Sequence, residues 1–421
     1  MDIGQMLSNN MVYGQMGTDR VIGIDYAAMR EYRLKRVREM MEREGYGIFI
    51  TWDAWNMRYL NGGFPSVPCR WAATMFSILC RNDEPLLSAT TVMDPYRLKD
   101  YYPWMPSDHV TKDIGGGKMS FIRPQWENFI KTIIGMMEEH GVADMPVAMD
   151  ACPAPELVRQ MFEERGIKVV VPVEELYDLR SVKSIDELTC MNISAAIAES
   201  AMYEVQKAMR PAMPEHHMTA LGVKVQYCNN CDEVVPPAII SGKRMNPMHC
   251  DFTDSLMMAQ ETIAVHMDDV SYNGYKTSLG RTFVMGKASE AQKEAYAVAL
   301  KLMRDAMSVI RDGANTNDIL AVWPQSPEFW GYDNWDDCRR FAHGNAIGLG
   351  FEEGTFFSCG DKKGEGHVLK AGMTLALETW YGPRGADYAG SIKETVLVTE
   401  TGCRVMTLYP VDEIIEVPLR R

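Results

Sequence analysis

A change of pattern near residue 180 divides the chain into two parts of different fold class. Before it, apolar runs such as Val147–Met149 and Val169–Val171 alternate with helical stretches such as Pro124–His140, as in an α/β domain. After it, Ser184 and Glu187 have the spacing of a capping box that opens a long helix. We therefore predict a boundary at about residue 180. The predicted units are an N-terminal α/β domain at residues 1–180, which includes an arm at 1–24, and a C-terminal domain at 181–421.

The C-terminal part has the pattern of a curved antiparallel sheet backed by helices, an α+β domain. Helices are expected around residues 289–311 and 316–322. Strands are expected at 236–241, 262–268, 281–285, 373–378 and 391–398.

Composition restricts the class of partner. The chain has 421 residues, a formal net charge of −14, 46% hydrophobic and 24% charged residues. This charge argues against nucleic acid or an anionic membrane as the main partner and permits a cationic substrate. The first twenty residues lack the apolar core of a signal peptide, and no apolar run reaches the roughly 18 residues of a membrane span. We therefore expect a cytoplasmic protein.

The ten cysteines are scattered, which favours reduced thiols over a disulfide framework. Cys228 and Cys231 alone have the spacing of a redox or zinc pair. A second pair at zinc-site distance is lacking, so we interpret them as structural residues.

Four C-terminal segments resemble metal-binding segments of the creatinase/aminopeptidase P ("pita-bread") family. This resemblance implies a pita-bread catalytic domain, which in the family holds two metal ions with five ligands. The segments are ETIAVHMDDVSYNGYKTSLGRTF, FAHGNAIGLGFEEG, LKAGMTLALETWYG and SIKETVLVTETG.

Alignment on these segments leaves one of the five family ligands in place. That residue is Glu378. The other positions hold His266 and Ser278 where the family has aspartates, Asn345 where it has a histidine, and Lys393 where it has a glutamate. Asp268 lies two residues after His266, and Glu394 lies beside Lys393. His343 lies two residues before Asn345, so a shifted register could still supply an imidazole.

Two divalent ions about 3.5–4 Å apart need several anionic oxygens to offset their repulsion. A lysine among few carboxylates removes that compensation. We expect Lys393 to replace the metal as a built-in cation paired with Glu378, so that no cofactor is needed. A single ion on His266, Asp268 and Glu378 is the alternative.

Two branches of the family resemble this chain in further segments. The N-terminal text MREYRLKRVREMMEREGYGIFITWDAWNMRYL and SGKRMNPMH resemble the dimethylsulfoniopropionate lyase branch. That branch's general base aligns with Phe351, and Glu352 beside it could replace it. The creatinase branch works without metal through a histidine and two glutamates. Its histidine matches His249, whereas its glutamates align with Gly280 and Lys393.

Further residues are candidates for substrate binding. Trp380 and Tyr381 could hold an ammonium, sulfonium or guanidinium group by cation–π attraction, and Arg58 could hold a carboxylate. The remaining candidates are His266, Asp268, His343 and Asn345. Relatives of this family form dimers, so we expect a homodimer whose partner supplies such an arginine.

Three functional hypotheses follow. The first is a metal-independent hydrolase that cleaves a C–N bond of a small zwitterionic or amidine-type substrate, with His249 as proton shuttle beside Glu378 and Lys393. The second is a lyase that abstracts an α proton through Glu352 or His249 and eliminates a leaving group. The third is a non-catalytic binding protein of the same fold.

Overall fold

A computed structural model gives the conformation of most of the chain. It describes residues 23–63, 75–89, 100, 102–112, 114–117, 123–247, 251–337, 342–350, 353–360 and 364–419.

The N-terminal part is a six-stranded mixed sheet with helices around it. The strand order is β4-β3-β2-β1-β5-β6, with β1 parallel to β5 and antiparallel to β2. The strands are β1 (Ile48–Thr51), β2 (Met75–Cys80), β3 (Leu86–Ala89), β4 (Val110–Lys112), β5 (Val147–Asp150) and β6 (Val169–Val170), and the helices are α1 (Tyr26–Glu44), α2 (Ala54–Asn61), α3 (Arg123–Glu139), α4 (Pro155–Glu163) and α5 (Val173–Ser181).

The C-terminal part is a nine-stranded sheet backed by helices. Its main path is β13-β12-β14-β15-β11-β10-β8, and β16 and β17 join β15 and β11. The nine strands are β8 (Ala238–Ser241), β10 (Thr262–Tyr272), β11 (Tyr275–Met285), β12 (Ala342–Ala346), β13 (Phe356–Ser358), β14 (Thr374–Tyr381), β15 (Gly390–Val398), β16 (Cys403–Val405) and β17 (Ile415–Val417). The short strands β7 (Met213–Pro214) and β9 (Leu256–Met257) pair with each other in a separate two-stranded sheet. The helices are α6 (Ile185–Ala208), α7 (Glu215–Cys228), α8 (Glu290–Val309) and α9 (Thr316–Val322), with 3₁₀ turns at Gly242–Met245 and Pro327–Trp330.

Most elements predicted from sequence are confirmed. Ser184 accepts from the Glu187 amide and Glu187 accepts from the Ser184 amide, so the capping box opens α6 as expected. The hairpin β10–β11 is longer than predicted, since both strands run to a turn at Asn273 and Gly274, which have positive φ. The two sheets use segments on either side of residue 180, and the boundary itself stays a prediction. Residues 1–22 of the predicted arm lie outside the described residues.

A buried ion pair joins the two parts of the chain. Arg33 of α1 lies 3.2 Å from Glu187 of α6, and both side chains are 2% exposed. The Tyr275 hydroxyl of β11 also donates to Glu187. Because Glu187 also closes the capping box of α6, one carboxylate ties together the N-terminal helix, the long helix and the hairpin.

A second polar network crosses between the parts. Asn56 of α2 donates to Asp150 at 2.5 Å and accepts from Arg180 at 2.6 Å. Arg180 and Lys183 both lie within 3.3 Å of Glu353, which follows β12. The end of β5 is thus linked to the segment that follows β12.

Among the helices that the structure describes, none combines the length and the apolar character needed to cross a bilayer.

We expect Arg33→Met to lower the free energy of unfolding by roughly 3–5 kcal/mol, because it leaves the Glu187 charge buried without its partner. Urea unfolding measures the change. Lys35→Met is the control on the same helix, since the Lys35–Glu39 pair is exposed and should contribute nothing measurable. Equal effects of the two substitutions would contradict the role given to Arg33.

Asp150 predicts a pH dependence of stability. Burial raises its pKa to about 7, and the neighbouring Asp53 charge adds to the increase. The folded state therefore binds this proton more tightly than the unfolded state, and the stability it contributes is lost as pH rises from about 4 to about 7. Asp150→Asn should flatten the fall of the urea midpoint between pH 5 and pH 7.5. The exposed Asp144→Asn should leave it unchanged; parallel curves for wild type and Asp150→Asn would refute the assignment.

Candidate functional site

A single row of residues crosses five strands of the C-terminal sheet. His343 pairs with Glu378, Glu378 with Lys393, Lys393 with Gly280, and Gly280 with His266. Residues directly opposite on neighbouring strands share a face of the sheet. Four of the candidate residues, from distant parts of the sequence, therefore meet on one face.

Gly280 makes the centre of this row possible. A Cβ at this position would lie 2.7 Å from the Lys393 Cβ and 3.0 Å from the His266 ring. The space that a side chain would need on β11 is thus filled by its two neighbours. Gly280, which aligns with a creatinase glutamate, thus leaves space for the side chains of Lys393 and His266.

Lys393 lies among carboxylates. Its Nζ donates to Asp268 Oδ1 at 2.7 Å and lies 3.3 Å from Glu378 Oε2. Burial opposes the charge, but the carboxylates of Asp268, Glu378 and Asp269 outweigh it and hold the pKa of Lys393 well above its ordinary value. Lys393 therefore remains an ammonium ion throughout the physiological pH range, in the place where the family alignment expects a metal-binding glutamate.

Glu378 connects the lysine to both imidazoles. Its Oε2 lies 3.6 Å from His343 Nε2, and its Oε1 lies 3.9 Å from His266 Nδ1. The carboxylate is 5% exposed, so its negative charge acts on both imidazoles with little screening.

Asp269 is a member of the cluster that the sequence did not indicate. The β10–β11 register shifts between Met267 and Val270, and Asp269 has a φ of 49°. Its amide donates to Ser278 Oγ at 3.1 Å. Ser278, at the position of a family aspartate, thus holds the backbone of this bulge, which places two adjacent aspartates near Lys393.

Ser391 is a second residue that sequence reasoning missed. It lies two positions before Lys393 on β15 and therefore on the same face. Its Oγ is 2.7 Å from His266 Nε2. The only sequence signal was its place in the SIKETVLV segment, two residues before the altered ligand position.

The two aromatic candidates face opposite sides of β14, as alternation along a strand requires. Trp380 shares the face of Glu378, and its ring centroid is 5.9 Å from that of His266. Tyr381 instead contacts Phe329 and Trp330 at centroid distances of 5.3 and 6.2 Å. The prediction that the Trp380 and Tyr381 rings together hold a cation is therefore wrong.

His343 rather than Asn345 lies in the row with Glu378. Asn345 is two residues along β12, where its Nδ2 donates to the Ala346 carbonyl at 3.0 Å. Glu394 cannot replace Lys393 as a ligand, since it faces the other side and lies 2.7 Å from the buried Arg281. The shifted register therefore supplies an imidazole on β12 but no carboxylate on β15.

Arg58 is not brought to this row. Arg58 lies 2.9 Å from Asp232 and 3.4 Å from Asn273, at the hairpin turn. Its proposed role in carboxylate binding stays a prediction. His249 and Glu352 lie outside the described residues.

The residues present do not fit a two-metal centre. An ammonium ion has donors only, and Lys393 directs them at Asp268 and Glu378, two of the carboxylates that a metal would require. Within the part of the chain that the structure describes, no three His, Cys, Asp or Glu side chains are arranged to hold a metal ion. The donor set thus suits an internal ion pair, and it does not form the single-ion site on His266, Asp268 and Glu378 either.

Sequence comparison identifies relatives with several activities. The dimethylsulfoniopropionate lyase DddP of Roseovarius nubinhibens is 22% identical over 419 residues, which cover 96% of this chain and 91% of the lyase. The Xaa-Pro dipeptidase of Pyrococcus furiosus is 25% identical over 259 residues, 60% of this chain and 70% of the dipeptidase.

Structure comparison and a family model agree with the sequence resemblance. The X-Pro aminopeptidase of Thermotoga maritima superposes with a TM-score of 0.70 at 18% identity, covering 91% of this chain and 99% of the aminopeptidase. This shows the fold, and the expected pita-bread architecture is confirmed. The model of metallopeptidase family M24 matches residues 189–400. The chain therefore belongs to metallopeptidase family M24.

Proposed function

We propose that this M24 chain is an enzyme that acts on a small cationic or zwitterionic substrate with a fixed ammonium ion in place of a dinuclear metal. The observation that carries the proposal is the position of Lys393 between Asp268 and Glu378. The favoured reaction is hydrolysis of a C–N bond in a zwitterionic or amidine-type substrate. The two-domain boundary near residue 180, the homodimer and the carboxylate-binding role of Arg58 are parts of the same proposal.

Charge supports this substrate class. Asp268, Asp269 and Glu378 carry three negative charges against one on Lys393, and Glu378 is almost fully buried. A cationic group of the substrate would offset the remaining charge. Trp380, on the same face, is buried beside His266, with ring centroids 5.9 Å apart.

The chemistry assigned to the residues follows from their charges. Lys393 supplies positive charge where negative charge develops on the substrate, a role that preorganised cations perform in water-poor sites. Glu378 orients the lysine and faces both imidazoles. His249 is proposed as the proton shuttle from its match to the creatinase histidine, and His266 and His343 are the described imidazoles that can move protons.

A lyase is the second candidate. It is favoured by the match to the dimethylsulfoniopropionate lyase DddP, which extends over 96% of this chain. In that case Glu352 or His249 would abstract the α proton and Lys393 would face the developing charge. A binding protein without turnover is the third candidate.

One experiment separates the three candidates. Purified protein is screened by thermal shift against creatine, betaines and dimethylsulfoniopropionate, and any ligand found is incubated with the enzyme in ¹⁸O-labelled water. We expect one product to carry ¹⁸O, because hydrolysis adds solvent oxygen. Elimination products without ¹⁸O would establish the lyase. Binding without product, unchanged by Glu378→Gln, would establish the binding protein.

Metal content tests the role of Lys393. Wild-type protein is dialysed against Mn²⁺ and then against metal-free buffer. It should retain well under one equivalent of Mn²⁺ per chain, measured by inductively coupled plasma mass spectrometry. Lys393→Glu restores an acidic ligand, so we expect increased retention, whereas Lys393→Met removes the charge without adding a ligand and is the matched control. One or two equivalents in the wild type would overturn the proposed role of the ammonium ion.

Gly280→Ala tests the packing of the row. The added methyl group must displace His266 or Lys393, so we expect a lower unfolding midpoint and weaker binding of any ligand found above. Gly402→Ala is the control, since nothing lies within 4 Å of the Cβ it would add. Unchanged stability and binding in Gly280→Ala would contradict the close contact of the two side chains.

A further inference from the structure

Ser391 and His266 are hydrogen-bonded on the face of the sheet where Glu378 lies beside the imidazole. Ser391 Oγ is 2.7 Å from His266 Nε2, and His266 Nδ1 is 3.9 Å from Glu378 Oε1. All three residues are buried, with relative exposures of 0%, 2% and 4%. Buried polar atoms are expected to have partners, so the positions of the protons on these three residues are restricted.

The direction of the hydrogen bond follows from the partners of Ser391. The backbone groups of Ser391 both bond to Thr282 Oγ1. Its hydroxyl has His266 Nε2 as its single polar partner among the residues that the structure describes. If Ser391 accepted from Nε2–H, its own buried O–H would have no acceptor there, which is unfavourable. Donation from Ser391 to Nε2 satisfies both atoms.

This direction determines the histidine tautomer. An imidazole that accepts at Nε2 carries its proton on Nδ1. The Nδ1–H of His266 is then on the side of Glu378, where a carboxylate favours it. The order of groups is Ser391 O–H, His266 Nε2, His266 Nδ1–H and the Glu378 carboxylate.

We propose that Ser391 is a positioning residue that holds His266 as the Nδ1–H tautomer, so that a proton relay runs from Ser391 through His266 to Glu378. This deepens the proposed function and rests on His266 serving that site. A proton entering at Ser391 Oγ displaces the hydroxyl proton to His266 Nε2, and the Nδ1 proton passes to the Glu378 carboxylate, so the relay needs no external reagent. With its hydrogen already donated, Ser391 Oγ can only accept a further hydrogen bond.

Gly280 keeps the relay compact. A Cβ there would lie 3.0 Å from His266 Nε2, the atom that faces Ser391. Because position 280 is a glycine, there is room both for Lys393 and for the His266 ring to contact Ser391. Lys393 and the relay share Glu378 through different oxygens, Oε2 and Oε1.

Nuclear magnetic resonance of the full chain tests the inference directly. The protein is labelled with ¹⁵N-histidine, and the long-range ¹H–¹⁵N spectrum at pH 8 reports which ring nitrogen carries the proton in each of the eight histidines. His266 is assigned by loss of its signals in His266→Asn. We expect a protonated Nδ1 and an unprotonated Nε2. A protonated Nε2, or protons on both nitrogens, would overturn the proposal without any variant of Ser391.

Variants separate a positioning role from general packing. Ser391→Ala removes the donor to Nε2, so the ¹⁵N shift of His266 Nε2 should move toward that of a ring nitrogen without a hydrogen bond, and Ser391→Thr, which keeps the hydroxyl, should retain the wild-type pattern. Ser88→Ala is the matched control, because Ser88 is also a fully buried strand serine and its Oγ has no partner among the described residues. An unchanged His266 pattern in Ser391→Ala would refute the role of Ser391. The tautomer is measured without turnover or metal, so a negative result here can be distinguished from failure of the proposed enzymatic function.

Discussion

The candidate site depends on one partly buried ammonium ion. Lys393 neutralises part of the charge of Asp268, Asp269 and Glu378, which would otherwise repel one another in a poorly solvated place. Burying the lysine is unfavourable by itself, and the three carboxylates more than offset this. Each partner therefore requires the other. One of these carboxylates, Glu378, also lies beside the imidazoles of His343 and His266, so Lys393 is linked to both histidines through Glu378.

The antiparallel pairing of the sheet brings these groups together. His343, Glu378, Lys393, Gly280 and His266 belong to five strands, yet register places them in one line. The side chains in such a row can be substituted without a change of fold, because backbone pairing between the strands, and not the side chain, sets each position. An acidic ligand set can thus become an ion pair within the same M24 architecture. The ion pair is accompanied by a glycine at position 280, since the side chains of Lys393 and His266 occupy the space that a Cβ there would need.

Much of the fold and part of the site could be predicted from the sequence. The capping box of Ser184 and Glu187, the strand segments and the pairing of Lys393 with Glu378 were all expected, and each is present. The joint cage of Trp380 and Tyr381 was wrong, because adjacent residues on a strand face opposite sides. Asp269 and Ser391 were missed. A β-bulge places Asp269 near the lysine, and bulges have no reliable sequence signature, while a serine in a strand has no pattern that distinguishes a relay from packing.

The sequence by itself determined the family, the strand and helix order, and the loss of the acidic ligands, because these depend on residue identity and spacing along the chain. Only the tertiary structure decided which groups meet. The choice of His343 over Asn345, the filling of the space at Gly280 and the contact of Ser391 with His266 all depend on register between strands distant in sequence. Register is fixed by the packing of the whole sheet against its helices, so local spacing could not supply it.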